Sequence, residues 1–177
     1  MRIFAIDPGT TASGWLYCQT DPFKIVEHGI TDNAVLLTKL EVMRVGIDID
    51  LMLIEKVESF GMAVGVSIFE TVYWSGRFAQ VAQPVCVERI GRRDVKLTLC
   101  GSVRAKDGNI RQALLDKFGG ESAVGTKKAP GPLYGIRSHI WPALALVVTY
   151  SEAWRRRGRG DVPSWEESHD ALKAGGR

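Results

Sequence analysis

Two short apolar runs, each closed by a carboxylate, constrain this chain more than any other feature. The first is Ile3-Phe4-Ala5-Ile6, which ends in Asp7 and the turn-forming Pro8-Gly9-Thr10-Thr11. The second is Leu51-Met52-Leu53-Ile54, which ends in Glu55. The continuous second run suits a buried central strand, and the first is a short β-prone run. A carboxylate at a buried strand end is costly unless something pairs with it. Taken singly, Asp7 reads equally well as a turn former and Glu55 as a surface or paired group, and His139 reads first as a surface histidine at a helix start. Taken together, two strand-end carboxylates and a histidine at the start of the last long helix make a site for a divalent cation. Oxygen donors suit Mg²⁺ or Mn²⁺, and Mn²⁺ tolerates imidazole better.

The remaining pattern is mixed. Ser13 to Gln19 continues as a strand and forms a hairpin with the first run. Lys24 to Gly29 reads as a third strand. Thr31 or Asp32 can cap a helix to about Val45, with Val35, Leu36, Leu40 and Met43 as its apolar positions. A helix over 66–80 follows the loop marked by Gly61 and Gly65, with Met62, Val66, Phe69, Trp74 and Phe78 read as core or dimer packing. Pro84 to Val87 reads as a strand, and 92–99 and 109–118 as helices. Residues 119–134 read as a mobile Gly/Pro loop, and a helix runs from Ser138 to about Arg157. This order predicts an α/β fold with a mixed sheet and helices on both faces. A single domain over 1–157 is expected, with a polar tail over 158–177.

Composition excludes several classes. Of 177 residues, 45% are hydrophobic and 24% charged, which is ordinary globular composition. The longest strongly apolar stretch, Ala143 to Val148, is far below the ~20 residues of a membrane span. The opening residues turn acidic too early for a signal peptide, so a cytoplasmic protein is expected. Cys18, Cys86 and Cys100 are widely spaced and read as reduced thiols. The net charge of +3 conceals an asymmetry. Residues 1–84 carry 6 basic and 10 acidic side chains, whereas residues 85–137 carry 11 and 5. An acidic pocket beside a basic surface is what a metal-dependent nuclease needs, although a solvated charged face gives the same counts.

Three segments resemble a known family. Ile3 to Trp15, with its Asp-Pro-Gly turn, Gly14 and an aromatic, resembles the first motif of the RuvC family of Holliday-junction resolvases. Leu53-Ile54-Glu55-Lys56-Val57 resembles the second, and Ser138-His139-Ile140-Trp141-Pro142-Ala143-Leu144-Ala145-Leu146 the C-terminal one. Arg93-Asp94-Val95-Lys96 and Gly101 to Gln112 are similar to the family's DNA-facing segment. The wording of 125–135 and of the His-x-Trp motif looks like the phage-type branch.

The resemblance implies an RNase H-like fold, a homodimer, branched DNA as partner and two-metal phosphodiester hydrolysis. Carried over by position, Asp7 and Glu55 are metal-binding carboxylates, with Asp7 bridging the metals, and His139 stands at the third-motif position as a metal ligand or a proton shuttle. Pro142 replaces a further Asp, which puts the fourth ligand in doubt. Glu58 is a candidate substitute, although strand alternation would point it to the opposite face from Glu55. Phosphate contacts are expected from Arg89, Arg92, Arg93 and Lys96, from Arg104, Lys106 and Arg111, and from Lys127, Lys128 and Arg137. Arg155-Arg156-Arg157-Gly158-Arg159 reads equally as a phosphate contact or as a helix-end cluster. Phe60 is the candidate to stack on an unpaired base.

Alternatives remain at this point. One is another RNase H-like nuclease acting on RNA or an RNA–DNA hybrid. Another is a catalytically weak junction-binding protein. Asp7-Pro8-Gly9-Thr10-Thr11 also looks like the phosphate turn of sugar kinases and actin-like ATPases. Those proteins are two-domain and need a second Asp-x-Gly turn, which this sequence lacks.

Overall fold

Alternation along the strands decides which side chains meet. The computed structural model describes residues 1–46, 49–59, 61 and 63–157. It contains strands β1 (Arg2–Asp7), β2 (Ala12–Thr20), β3 (Phe23–Asp32), β4 (Leu51–Lys56) and β5 (Cys86–Gly91). Its helices are α1 (Asn33–Gly46), α2 (Val66–Ala82), α3 (Arg92–Cys100), α4 (Asp107–Lys117) and α5 (Ile140–Arg157). The sheet order is β3-β2-β1-β4-β5. β1 pairs antiparallel with β2 and parallel with β4, and β4 pairs parallel with β5.

Ile3, Ala5, Leu51 and Leu53 face one core, which α3, α4 and α5 complete. Phe4, Ile6, Met52 and Ile54 face the other, against α1 and α2. Trp15 and Tyr17 join the second core, while Leu16 and Cys18 join the first. A sheet buried on both faces explains why these strands are apolar throughout. Each fully buried large side chain contributes about 1.5–3 kcal/mol. Cys18, Cys86 and Cys100 are free. No helix among the described residues is long and apolar enough to cross a membrane.

Several sequence expectations shift. Asp32 caps α1, its Oδ1 accepting from the Ala34 and Val35 amides at 2.9 and 3.3 Å. Leu36, Leu40 and Met43 are buried as expected, but Val35 points outward and Leu37 takes an inner place. On α2, Phe78 is buried, whereas Val66 and Phe69 are exposed, which excludes the core half of the core-or-dimer reading for those two. β5 starts at Cys86 and runs past Val87 to Gly91. The 119–134 segment contains a 3₁₀ turn at Gly120–Ala123 and a bridge between Gly125 and Pro130. Buried Ala123 and Leu133 anchor it against the first core. The last helix starts at Ile140, so His139 occupies the turn just before it. The expected tail at 158–177, Phe60 and Met62 lie outside the described residues.

Candidate active site

The site forms where β1, β4 and β5 end side by side. Asp7 continues the odd-numbered face of β1, and Glu55 that of β4. The register Ile6↔Ile54 brings the two carboxylates together one residue later. The pairing Lys56↔Gly91 brings the β5 end alongside, so Arg92 opens α3 at the same edge. Carboxyl ends of parallel strands are where open α/β sheets place their sites.

His139 arrives from the turn before α5. Its Nδ1 lies 3.0 Å from Asp7 Oδ2. Gly14, paired with Asp7 in the β1–β2 ladder, makes room for this turn. A Cβ on Gly14 would lie 2.1 Å from the His139 carbonyl oxygen. Ser138 adopts a left-handed φ of 43° immediately before the histidine. Pro142 is the third residue of α5, in the first turn, where its missing N–H breaks no helical bond.

A buried polar network fixes the turn after Asp7. Ser13 Oγ donates to Asn33 Oδ1 at 2.6 Å, and Asn33 Nδ2 donates to the Gly9 carbonyl at 3.0 Å. The Gly9 amide donates to Ser13 Oγ at 3.2 Å. Both side chains are buried, so each unmade bond would carry a full desolvation cost. Nothing local in the sequence marks Asn33. Its partners are 20 and 24 residues away, and no local pattern encodes that pairing.

Electrostatics follow from crowding. Burial and the neighbouring Asp7 charge push Glu55 up to about 8, while Arg92 pulls the other way. Burial also raises Asp7, against the bonds it makes to His139 and Glu55. Crowding two carboxyl groups at one buried strand edge disfavours ionising both. Arg92 Nη1 stands 3.5 Å from Glu55 Oε2, and its Nη2 stands 2.5 Å from Asp107 Oδ1. Burial opposes the Arg92 charge, but Glu55 and Asp107 outweigh it and raise its pKa.

Asp7, Glu55, Glu58 and Arg92 line one cavity of about 200 Å³. Glu58 reaches that wall because β4 ends at Lys56, so strand alternation no longer governs it. Glu58 pairs with Lys56 at 3.0 Å. A Cβ on Gly91 would lie 2.5 Å from Glu58 Oε2, so the glycine leaves the carboxylate its place. A second cavity of about 350 Å³ is lined by Arg92, Asp107, Arg111, His139, Trp141 and Pro142.

Among the described residues, no group of three or more His, Cys, Asp or Glu stands ready-arranged around a metal position. The donors brought together are a carboxylate pair with a histidine on one of them. A pair of hard oxygen donors fits Mg²⁺ or Mn²⁺, ions that take one or two carboxylates and fill the rest of their shell with water and phosphate.

The expected phosphate contacts divide into two groups. Arg92 and Arg111 line the cavities, with the Arg111 guanidinium 5.3 Å from the Trp141 ring centroid. Arg89, Arg93, Arg104, Lys106, Lys127, Lys128 and Arg137 are exposed, and Lys96 is half-buried. The backbone of Arg155, Arg156 and Arg157 completes α5.

No protein-family model and no curated protein matches the sequence. Solved structures do. T. thermophilus RuvC in complex with a Holliday junction substrate aligns with TM-score 0.60 at 17% identity, covering 89% of this chain and 96% of that one. A second structure of Thermus thermophilus RuvC aligns with TM-score 0.61 at 18% identity, covering 89% and 97%. The five-stranded mixed sheet with helices on both faces is therefore the RNase H-like fold in the form seen in RuvC.

Proposed function

We propose that this chain is a metal-dependent endonuclease that resolves four-way or other branched DNA junctions by phosphodiester hydrolysis. The observation that carries the reading is the Asp7–Glu55 pair at adjacent strand ends, with His139 Nδ1 on Asp7. Its support is a fold shared with a protein solved on a Holliday junction. Asp7 and Glu55 would hold Mg²⁺ or Mn²⁺, up to two ions, with Glu58 on the same wall as the further carboxylate. Such an ion, when bound, polarises the phosphate and acidifies the attacking water.

The chain's own groups do the rest. Asp7 orients His139 through Nδ1–H, which leaves Nε2 as the basic nitrogen that takes the water's proton. The water oxygen bonds to phosphorus as the bond to the 3′ oxygen breaks. The Ser13–Asn33–Gly9 network keeps the Asp7 turn from relaxing during this step. Exposed Arg89, Arg93, Arg104, Lys106, Lys127, Lys128 and Arg137, with Lys96, supply salt-sensitive phosphate contacts. Phe60 stays the proposed base-stacking residue. The phage-type assignment and a cytoplasmic location belong to the same proposal.

A homodimer supplies the two cuts that a four-way junction needs. Val66, Phe69, Val72 and Tyr73 form an exposed apolar face on α2 where the second copy would dock. A Phe69→Glu variant that sediments like the wild type would contradict that interface.

The test is a cleavage panel of four-way junction, linear duplex, RNA–DNA hybrid and RNA, each in Mg²⁺, Mn²⁺ and EDTA. Metal-dependent cutting of the junction above the others is expected. Preference for RNA or hybrid would reassign the substrate. Tight metal-independent junction binding without cutting would make the chain a binding module.

A further inference from the structure

Among the described residues, Arg92 alone lines both cavities at the site. The smaller cavity holds Asp7 and Glu55, and the larger holds Arg111, His139 and Trp141. Arg92 stands on the wall that the two cavities share. A strand crossing the site would place one nucleotide on each side, and the phosphate that links them would meet Arg92. The side chain is held for that meeting by two contacts of different strength. Nη1 faces Glu55 inside the cavity, and Nη2 faces Asp107, whose side chain is 80% exposed. An exposed ion pair of this kind is easily exchanged, whereas a guanidinium binds phosphate through paired N–H donors.

Among the described residues, the other cations lining these cavities each border one cavity alone. Lys56 pairs with Glu58, and Arg111 lies over Trp141. Neither lines both walls.

We propose that Arg92 is a catalytic residue that contacts a non-bridging oxygen of the scissile phosphate, exchanging its Asp107 bond for that contact when DNA enters. Asp107 is the positioning residue that presents the guanidinium at the shared wall. This assignment rests on the nuclease reading and moves Arg92 from a general phosphate surface into the reacting centre.

The test pairs protein and DNA substitutions. Junctions carrying a single neutral methylphosphonate, scanned phosphate by phosphate through the branch, are bound in EDTA by wild type, Arg92→Gln and Arg92→Lys. Arg92→Gln is expected to weaken binding of the unmodified junction by about 10-fold. The slope of log affinity against log salt should fall by about 0.7–0.9, the value of one lost phosphate contact. Neutralising the phosphate that the wild type cuts should weaken wild type and Arg92→Lys but leave Arg92→Gln unchanged. Thermal melting of both variants checks that each is folded; if Arg92→Gln is not, the wild type still decides, because equal binding with and without the neutral group at the cut phosphate overturns the contact.

Loss at every phosphate alike, or coupling to a phosphate other than the one cut, overturns the assignment while leaving the nuclease reading intact. A wild type that cuts no substrate overturns both.

Discussion

Replacing Gly14 with alanine tests how His139 is placed beside Asp7. The new Cβ would lie 2.1 Å from the His139 carbonyl oxygen, 2.4 Å from its carbonyl carbon and 2.6 Å from its Cβ. To restore an ordinary contact of 3.4 Å from 2.1 Å, the carbonyl must retreat by roughly 1.3 Å. A shift of that size breaks a 3.0 Å bond, because hydrogen bonds weaken steeply beyond about 3.2 Å. Relaxation around an inserted methyl costs about 1–3 kcal/mol of stability. A misplacement of about 1 Å costs on the order of 100-fold in rate.

The assay is single-turnover junction cleavage by Gly14→Ala, His139→Ala and the double variant, with thermal melting as a check on folding. The expected result is a loss in Gly14→Ala close to that in His139→Ala, and no further loss in the double variant. Multiplying losses in the double variant, or wild-type cleavage by Gly14→Ala, would refute this reasoning.

Three further outcomes follow from the same geometry. Asn33→Ala leaves Ser13 Oγ–H and the Gly9 carbonyl without their buried partner, so about 1–3 kcal/mol is lost, read as a Tm drop of roughly 3–10 °C. Glu55 titrates at about 8 in the folded chain, above its ordinary 4.5. A raised carboxyl pKa stabilises below 4.5 and loses that contribution as pH rises through about 8. The metal-free protein should therefore lose up to about 1.4 kcal/mol per pH unit across that window, and Glu55→Gln should flatten the profile in a denaturant titration. Pro142→Asp adds a carboxylate to the wall that Pro142 shares with His139. Tighter Mn²⁺ binding by calorimetry is the expected outcome, and an unchanged isotherm would show that this position adds no ligand.

The two carboxylates were legible because they terminate strands whose apolar runs have no other explanation. The turn after Asp7 and the cap at Asp32 were legible for similar local reasons. Glu58 is a candidate that strand alternation points away, yet it lines the cavity, because the end of β4 at Lys56 decides its direction and alternation cannot show where a strand stops. Val66 and Phe69 read as core or dimer packing in sequence, since an exposed apolar helix face has the same spacing as a buried one. The 119–134 segment looks loose from its Gly and Pro content, yet Ala123 and Leu133 pin it to the core. Arg92 reads as one of a basic cluster. Only the β4–β5 register, Lys56 opposite Gly91, shows that it faces Glu55 rather than solvent alone. Gly14 stood in the motif, but its reason is a backbone 125 residues away in sequence, His139.

The most direct measurement is junction cleavage and junction binding by Asp7→Asn beside the wild type, in Mg²⁺. Asparagine keeps the shape and a donor or acceptor for His139 while removing the charge that holds the cation. The expected result is junction affinity within about 5-fold of wild type, since the phosphate contacts lie elsewhere, with cleavage reduced by at least about 100-fold. Wild-type cleavage by Asp7→Asn would contradict the assignment of Asp7 and Glu55 as the centre of the site.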